Sequence, residues 1–159
     1  MSSTTHVGQA KLLGELDAAE IEYSVLPHRR TESAVDEAKA LGVPAGAVAK
    51  TIVLSAPDGY VRAVLPAPEH LDLRKVRDVL GSKDVELATE AQLSGAYPDY
   101  ELGAVPPLGG SRDRVLLDEQ LSAQVTVLIE AGVHDASLRL RTKDLVAYTR
   151  ASIVDLCSD

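Results

Sequence analysis

The 159-residue sequence contains no phenylalanine, no tryptophan and a single cysteine. Only its five tyrosines could stack on bases, which argues against the aromatic platforms that bind single-stranded nucleic acid. Cys157 has no second cysteine to pair with, so an intramolecular disulfide and a cysteine-based metal site are excluded. We expect this thiol to fray with the C-terminal tail and to take no part in catalysis.

The sequence also lacks any apolar run long enough to cross a bilayer. Residues 1–5 are polar, without the basic start and apolar stretch of a secretory signal, so we expect a cytoplasmic protein with no membrane partner. The net charge of −8 opposes broad attraction to phosphate backbones. No DNA partner is therefore expected, and an RNA partner would have to be contacted locally.

Several familiar catalytic signatures are missing as well. The sequence has no P-loop, no G-x-G-x-x-G after a strand, no G-x-S-x-G elbow and no H-E-x-x-H motif. The four histidines are scattered without ligand spacing. We therefore expect neither a metal nor a cofactor, and covalent serine catalysis is disfavoured.

What is present is a pattern of short alternating helices and strands. Ser33, Asp72 and Thr89 are suited to cap helices, and Gly42 and Gly81 to end two of them. Hydrophobic spacing predicts further helices over 9–20 and from Thr142, and strands over 21–26, 51–55, 60–65, 85–88, 115–118, 125–130 and 137–141. With 45% apolar residues, the chain is predicted to form one domain over residues 1–159. The predicted fold class is α/β, with a mixed, curved sheet of about seven strands surrounded by helices.

Residues 95–114 break this pattern. They show no hydrophobic period and hold Gly95, Gly103, Gly109 and Gly110 together with three prolines. Long loops without periodicity inside a compact domain are usually functional or disordered. We therefore expect this segment to contribute to a site.

Six segments of the chain, in order, resemble the YbaK/ProRS-associated editing domains. They are 49–54 (AKTIVL), 61–66 (VRAVLP), 71–75 (LDLRK), 103–109 (GAVPPLG), 118–121 (DEQL) and 132–140 (GVHDASLRL), the last followed by Asp144 and Leu145. The resemblance extends over residues 23–148. It implies a mixed sheet closing toward a barrel, with helices outside, and hydrolysis of mischarged aminoacyl-tRNA. Because the chain has no synthetase segments, it resembles the free-standing members.

The resemblance also implies the site residues and partners. Lys50 matches the lysine of the family's K-T-[LIV] motif, and with a reference pKa of about 10.4 it should act as a cation that holds the 3′-terminal phosphate or the carbonyl end of the substrate. Without the resemblance it would be interpreted as an exposed lysine at a strand start. Gly103 should let the ester approach backbone N–H donors that stabilise the oxyanion. Mischarged aminoacyl-tRNA is the expected partner, with prolyl-tRNA synthetase as a second candidate.

Six further residues are predicted to bind substrate. His134 could orient water or bind the aminoacyl group, although a lone loop histidine is often only solvated. Thr31 could instead be a local turn former ahead of a helix. The full set is Tyr23, Thr31, Thr51, Pro106, Gly109 and His134.

The expected mechanism is non-covalent and metal-independent: water attacks the ester carbonyl while loop amides stabilise the oxyanion, assisted by the substrate's own groups. Two other functions stay open. One is a non-catalytic module that recognises a tRNA end, an amino acid or a synthetase, and the other is a hydrolase of small esters. Cysteine, alanine and serine on proline tRNA are all open as substrates, because a methylene provides only about 1–3 kcal/mol of discrimination.

Overall fold

The computed structural model describes residues 3–159, with side chains from residue 7 onward. Met1 and Ser2, part of the polar start that gave no sign of a secretory signal, lie outside the described residues. The helices are α1 (Ser3–Ala18), α2 (Ala34–Leu41), α3 (Leu73–Leu80), α4 (Glu90–Ala96), α5 (Glu119–Ser122) and α6 (Thr142–Thr149). The strands are β1 (Tyr23–Pro27), β2 (Ala49–Ala56), β3 (Gly59–Pro66), β4 (Glu86–Leu87), β5 (Arg114–Asp118), β6 (Thr126–Glu130), β7 (Ala136–Arg141) and β8 (Ser152–Val154). No helix in the described part of the chain is both long and apolar enough to span a membrane.

The predicted helix ends are confirmed where local capping chemistry decides them. Ser33 accepts a hydrogen bond from the Asp36 N–H at the start of α2, and Gly42 ends that helix in the left-handed region with φ of 68°. Asp72 caps α3 in the same way. Thr89 and Gln92 form the expected reciprocal capping box at α4. Each of these signals involves atoms a few residues apart, so the sequence contains the whole interaction.

The strands form two separate sheets, which corrects the prediction of one barrel-like sheet of about seven strands. A three-stranded antiparallel sheet has the order β1-β7-β6, and a five-stranded mixed sheet has the order β4-β2-β3-β5-β8. Within residues 3–159, β6 and β2 meet at an isolated parallel bridge between Val48 and Leu128, where no continuous ladder forms. The sheets therefore remain open at this seam. The eighth strand, β8, pairs with β5 in parallel and was not predicted.

The main core lies between the two sheets. The three-stranded sheet contributes Val127, Ile129, Leu138 and Leu140. Facing them from the five-stranded sheet and the helices are Ala49, Val64, Val115, Leu117, Leu12, Leu16, Leu121 and Leu145. A second cluster packs α3 against the opposite face of the five-stranded sheet. The central strands β2, β3 and β5 thus contribute side chains to buried clusters on both faces, and the direction of a side chain decides which cluster it joins.

The C-terminal segment is packed against the protein, so the expectation that Cys157 frays with the tail is wrong. Cys157 is buried and forms an antiparallel bridge with Leu71. The Ser158 N–H donates to the His70 carbonyl at 2.8 Å, and the Lys75 ammonium donates to the Cys157 carbonyl. Burial, and then a hydrogen bond with Asp118, raises the pKa of the Cys157 thiol to about 12. At neutral pH this thiol stays protonated and is a poor nucleophile.

We expect Cys157→Ser to leave unchanged the rate of the ester hydrolysis that the family resemblance implies. Serine keeps the shape of the side chain, and a protonated buried thiol provides no thiolate that its loss could remove. The rate constant should be measured alongside the melting temperature, because a hydroxyl in this position can alter stability. A rate loss greater than roughly tenfold in a folded variant would contradict this expectation and indicate covalent catalysis.

Candidate functional site

Successive side chains of β2 enter opposite faces of the five-stranded sheet. Ala49 belongs to the core between the sheets. Val53 packs with Val105 of the Gly/Pro loop, which is the segment 97–113 between α4 and β5. Leu54 belongs to the cluster on the other face, which packs against α3. By this alternation Thr51 shares the face of Ala49 and Val53, whereas Lys50 shares that of Leu54. The predicted residues Lys50 and Thr51 are therefore neighbours in sequence with different surroundings.

A cavity of about 240 Å³ lies between β2 and the Gly/Pro loop. Its walls are mostly apolar, with Thr51 among the residues that line it. The hydroxyl oxygen is buried and has no hydrogen-bond partner among residues 3–159. A buried hydroxyl without a partner costs free energy, and this oxygen is too buried to face the cavity directly. The lining residues are Thr51, Ile52, Val53, Leu87, Ala88, Leu93, Gly103 and Val105.

Gly103 lies at the mouth of this cavity, exposed and in the left-handed region with φ of 82°. Few side chains tolerate this conformation, so glycine is required by the backbone. A Cβ built at Gly103 would point at the His134 ring, 3.4 Å from Cε1, at ordinary contact distance. The glycine is thus explained by its backbone conformation and does not need a ligand in the place of the missing methyl.

His134 holds the Gly/Pro loop through a hydrogen bond to its backbone. Its side chain is buried, and Nε2 lies 2.6 Å from the Leu102 carbonyl. A carbonyl only accepts, so Nε2 carries the proton in this bond. The Thr31 N–H donates to the His134 carbonyl at 2.9 Å. The interpretation of His134 as a solvated loop residue is therefore wrong, and the structure brings Thr31, His134 and the Gly103 segment together.

Lys50 is half-buried near the start of β2, where its ammonium donates to the Glu69 carbonyl. Desolvation by burial lowers its pKa, while the nearby Cys157 and Glu69 act in the opposite direction. Lys50 is not one of the residues that line the cavity of Thr51 and Gly103. The two predicted catalytic residues, Lys50 and Gly103, thus lie in different surroundings in this conformation.

The remaining predicted residues make contacts within the protein. The Tyr23 hydroxyl donates to Asp17 at 2.9 Å. Tyr23 is the first residue of β1, whereas the chain continues to Thr31 from the last residue of that strand. The carbonyls of Pro106 and Gly109 both accept hydrogen bonds from Arg62. None of these three predicted residues lines the cavity. No three His, Cys, Asp or Glu side chains among residues 7–159 are grouped so that they could hold a metal ion.

A chain of buried polar groups beside His134 was missed by sequence reasoning. Glu37 and Glu130 are both buried, and Ser137, the register partner of Glu130, donates to Glu37. His28 Nε2 lies 3.0 Å from the Ser137 hydroxyl oxygen. Burial, and then the neighbouring Glu37 carboxylate, raises the pKa of Glu130 from 4.5 to about 9. The only available signal was a glutamate that follows three apolar residues in β6.

Wild-type stability should fall with rising pH relative to Glu130→Gln. The native state holds on Glu130 a proton that the unfolded chain releases, so this group's contribution is present below about pH 4.5 and is lost toward about pH 9. Between about pH 5 and pH 8.5 we expect the difference in unfolding free energy to change by at least ~1 kcal/mol in favour of the glutamine variant. Urea denaturation at both pH values measures this. Glu86→Gln, at an exposed strand position, is the matched control, and the same pH response in both variants would contradict the assignment.

Comparison with known families decides what kind of domain holds this site. Residues 28–148 match the family described as the aminoacyl-tRNA editing domain, which is most of the chain. The chain belongs to the aminoacyl-tRNA editing domain family. The matched span includes β2, the Gly/Pro loop and the His134 turn, so the cavity belongs to the editing domain itself.

Relatives of this editing domain include free-standing proteins and synthetases. The chain is 25% identical over 146 residues to the "Putative Cys-tRNA(Pro)/Cys-tRNA(Cys) deacylase EbsC" of Enterococcus faecalis, covering 86% of this chain and 88% of that protein. It is 29% identical over 120 residues to proline–tRNA ligase of Nitratidesulfovibrio vulgaris, which is 75% of this chain and 20% of the ligase. A crystal structure of "a putative trans-editing enzyme for prolyl tRNA synthetase" superposes with a TM-score of 0.84 at 26% identity, covering 96% of this chain and 98% of that one. The editing-domain fold is thus shared with proteins connected to prolyl-tRNA synthesis.

Proposed function

We propose that this protein is a trans-acting, cytoplasmic aminoacyl-tRNA deacylase that hydrolyses the ester of mischarged proline tRNA carrying cysteine, alanine or a similarly small amino acid. Membership of the editing-domain family supports a deacylase role. A relative named as a deacylase for cysteine on proline tRNA matches over most of both chains, which supports the choice of tRNA and amino acid. The chain would act as one domain, with prolyl-tRNA synthetase as a candidate partner.

The cavity between Thr51 and Gly103 is the observation that carries this proposal. Its volume of about 240 Å³ is smaller than the roughly 300–1,000 Å³ of pockets for drug-sized ligands. It therefore suits the side chain of an amino acid better than a whole aminoacyl-adenosine. Its apolar walls would receive the aliphatic part of a small side chain.

In the proposed mechanism a water molecule attacks the ester carbonyl at the mouth of the cavity. The exposed Gly103 would offer its backbone N–H to the developing oxyanion, since ester hydrolysis needs such a donor. The substrate's own hydroxyl or amino groups would assist the proton transfer, since no side chain at the cavity is placed as a general base. Lys50 would hold the tRNA end as a cation, near the start of β2 and outside the cavity.

A second function, a non-catalytic binding module, is favoured by one observation. Lys50 does not line the cavity and donates to the Glu69 carbonyl, an arrangement that could be structural. In that case the fold would recognise a tRNA end, an amino acid or a synthetase without turnover. A hydrolase of simple amino acid esters is a further alternative that uses the same cavity.

A panel of charged tRNAs separates these functions. The protein is incubated in catalytic amounts with proline tRNA carrying cysteine, alanine, serine or proline, and with the methyl esters of the same amino acids. Deacylation of a mischarged tRNA, with little action on prolyl-tRNA and on the methyl esters, is the expected result. Binding without turnover would support the module, and faster hydrolysis of the methyl esters would support the small-ester hydrolase.

A further inference from the structure

Arg62 is a fully buried arginine in the middle of β3. Only 1% of its side chain is exposed. Nε donates to the Asp113 carboxylate at 3.0 Å, and one terminal nitrogen donates to the Pro106 carbonyl at 2.9 Å. The other terminal nitrogen donates to the carbonyls of Gly109 at 2.6 Å and Ser111 at 3.3 Å. Every one of these acceptors belongs to the Gly/Pro loop that leads from α4 to β5.

Asp113 and the ring of Tyr97 stabilise the buried charge of Arg62. Asp113 also accepts hydrogen bonds from the Tyr97 and Ser111 hydroxyls. The guanidinium carbon of Arg62 lies 4.8 Å from the centre of the Tyr97 ring, within the range of a cation–π contact. A buried charge is costly unless it is paired and hydrogen-bonded, and here the protein provides both. Arg62 therefore fastens residues 106–113 to the sheet.

The loop is fastened a second time on the other side of the cavity. The Glu101 N–H donates to the Gly132 carbonyl at 2.9 Å, and His134 holds the Leu102 carbonyl. Gly103 and Val105, which line the cavity, lie between this attachment and the one made by Arg62. Val53 on the cavity wall is also the register partner of Arg62. The position of the cavity-lining loop relative to β2 thus depends on Arg62.

We propose that Arg62 is a positioning residue for the deacylation reaction: by holding the carbonyls of residues 106, 109 and 111, it keeps the Gly103–Val105 backbone in the geometry that receives the ester. This inference rests on the proposed function. It assigns Arg62 no contact with substrate. Its effect on the rate comes through the loop, since a misplacement of about 1 Å at a reacting centre can cost roughly 100-fold.

An arginine is needed here because its three nitrogens donate to four separate acceptors, three of which are carbonyls. The guanidinium group presents five N–H donors in a rigid fork, whereas lysine offers one compact ammonium group. A lysine at position 62 would keep the charge beside Asp113 but could not reach all three carbonyls at once. Arg62→Lys should therefore loosen the loop while it keeps a cation beside Asp113.

The test combines hydrogen exchange with single-turnover kinetics. In Arg62→Lys, peptides covering residues 101–113 should exchange faster, while peptides from β7 should not. The deacylation rate constant at saturating enzyme should fall by roughly 10–100-fold, with little change in the enzyme concentration that gives half-saturation. Arg77→Lys is the matched control, because Arg77 also donates to a backbone carbonyl, that of Val85, but outside the loop. It should leave both readouts at wild-type values.

Asp113→Asn provides a second variant in case Arg62→Lys does not fold. It keeps the shape of the side chain, removes the charge that pairs with Arg62, and should raise exchange and lower the rate in the same directions. Faster loop exchange with an unchanged rate constant, or unchanged loop exchange in both variants, would overturn the proposal. If the wild type deacylates no charged tRNA, the proposed function fails instead, and the proposal for Arg62 in that reaction fails with it. A wild type that is active while the Arg62 and Asp113 variants match it would refute the positioning role alone.

Discussion

Lys50→Ala should lower the rate of deacylation by roughly 30- to 1,000-fold, which corresponds to about 2–4 kcal/mol of transition-state stabilisation. This is the scale of losing one preorganised charged group. The expected reason is that the Lys50 ammonium, half-buried near the start of β2, fixes the tRNA end. Burial lowers its pKa, and the nearby Glu69 opposes that effect. Single-turnover kinetics on a mischarged tRNA measures the loss.

The controls separate this catalytic role from the structural contact that Lys50 makes. Because its ammonium also donates to the Glu69 carbonyl, the unfolding free energy of Lys50→Ala must be measured with its rate. Lys50→Arg keeps the charge but replaces a compact ammonium group with a planar guanidinium group. We therefore expect this variant to retain only part of the activity. Lys39→Ala, at an exposed position in α2, should behave like the wild type. A folded Lys50→Ala variant that is active on every substrate of the wild type would contradict the role.

Gly103→Ala should reduce deacylation by roughly 10- to 100-fold while the protein still folds. Alanine at a φ of 82° is strained by about 1–2 kcal/mol, and the loop would relieve that strain by moving. The added Cβ would meet the His134 ring only at ordinary contact distance, so the strain comes from the backbone conformation. The rate constant and the exchange of residues 101–105 should change together.

Gly46→Ala is the matched control for this substitution. Gly46 does not have a positive φ, and a Cβ built there meets nothing within 4 Å among the described residues. It should therefore leave the rate at the wild-type value. Full activity in Gly103→Ala would show that the loop conformation at Gly103 does not matter for the reaction, and oxyanion stabilisation by this segment would have to be abandoned.

Features that depend on a few neighbouring residues were predictable from the sequence. The caps at Ser33, Asp72 and Thr89 are local interactions. The hairpin of β2 and β3 closes through a two-residue turn at Pro57 and Asp58, between Ala56 and Gly59. The helix predicted over 9–20 begins and ends earlier than expected, since α1 is Ser3–Ala18. Its first turns contain few of the apolar residues that define a period.

Features that depend on distant pairing were not predictable in the same way. β8 is three residues long, and its partner β5 lies more than thirty positions earlier in the chain. Whether β6 and β2 form a ladder or meet at a single bridge is decided by the twist of both sheets, which leaves no mark in either sequence. The burial of Cys157 has the same origin, since it depends on Leu71 and Asp118.

The candidate site contains both kinds of feature, those that the sequence could predict and those that depend on distant contacts. The period of two along β2 could have predicted that Lys50 and Thr51 enter different faces, since Leu54 and Val53 continue the same alternation. The charges of Arg62 and Glu130 within apolar strands were visible as exceptions, because such residues are rarely buried without partners. Their partners were not visible, because the Gly/Pro loop and Glu37 have no periodic relation to either strand.

The central claim is that this editing domain hydrolyses the ester of mischarged proline tRNA. The most direct measurement is the release of labelled amino acid from cysteinyl- and alanyl-tRNA(Pro) by catalytic amounts of the full chain, with prolyl-tRNA(Pro) as the reference. We expect more than one turnover per protein on at least one mischarged tRNA, and hydrolysis of prolyl-tRNA(Pro) close to the uncatalysed rate. Uncatalysed rates on every charged tRNA, with the folded protein bound to them, would contradict it.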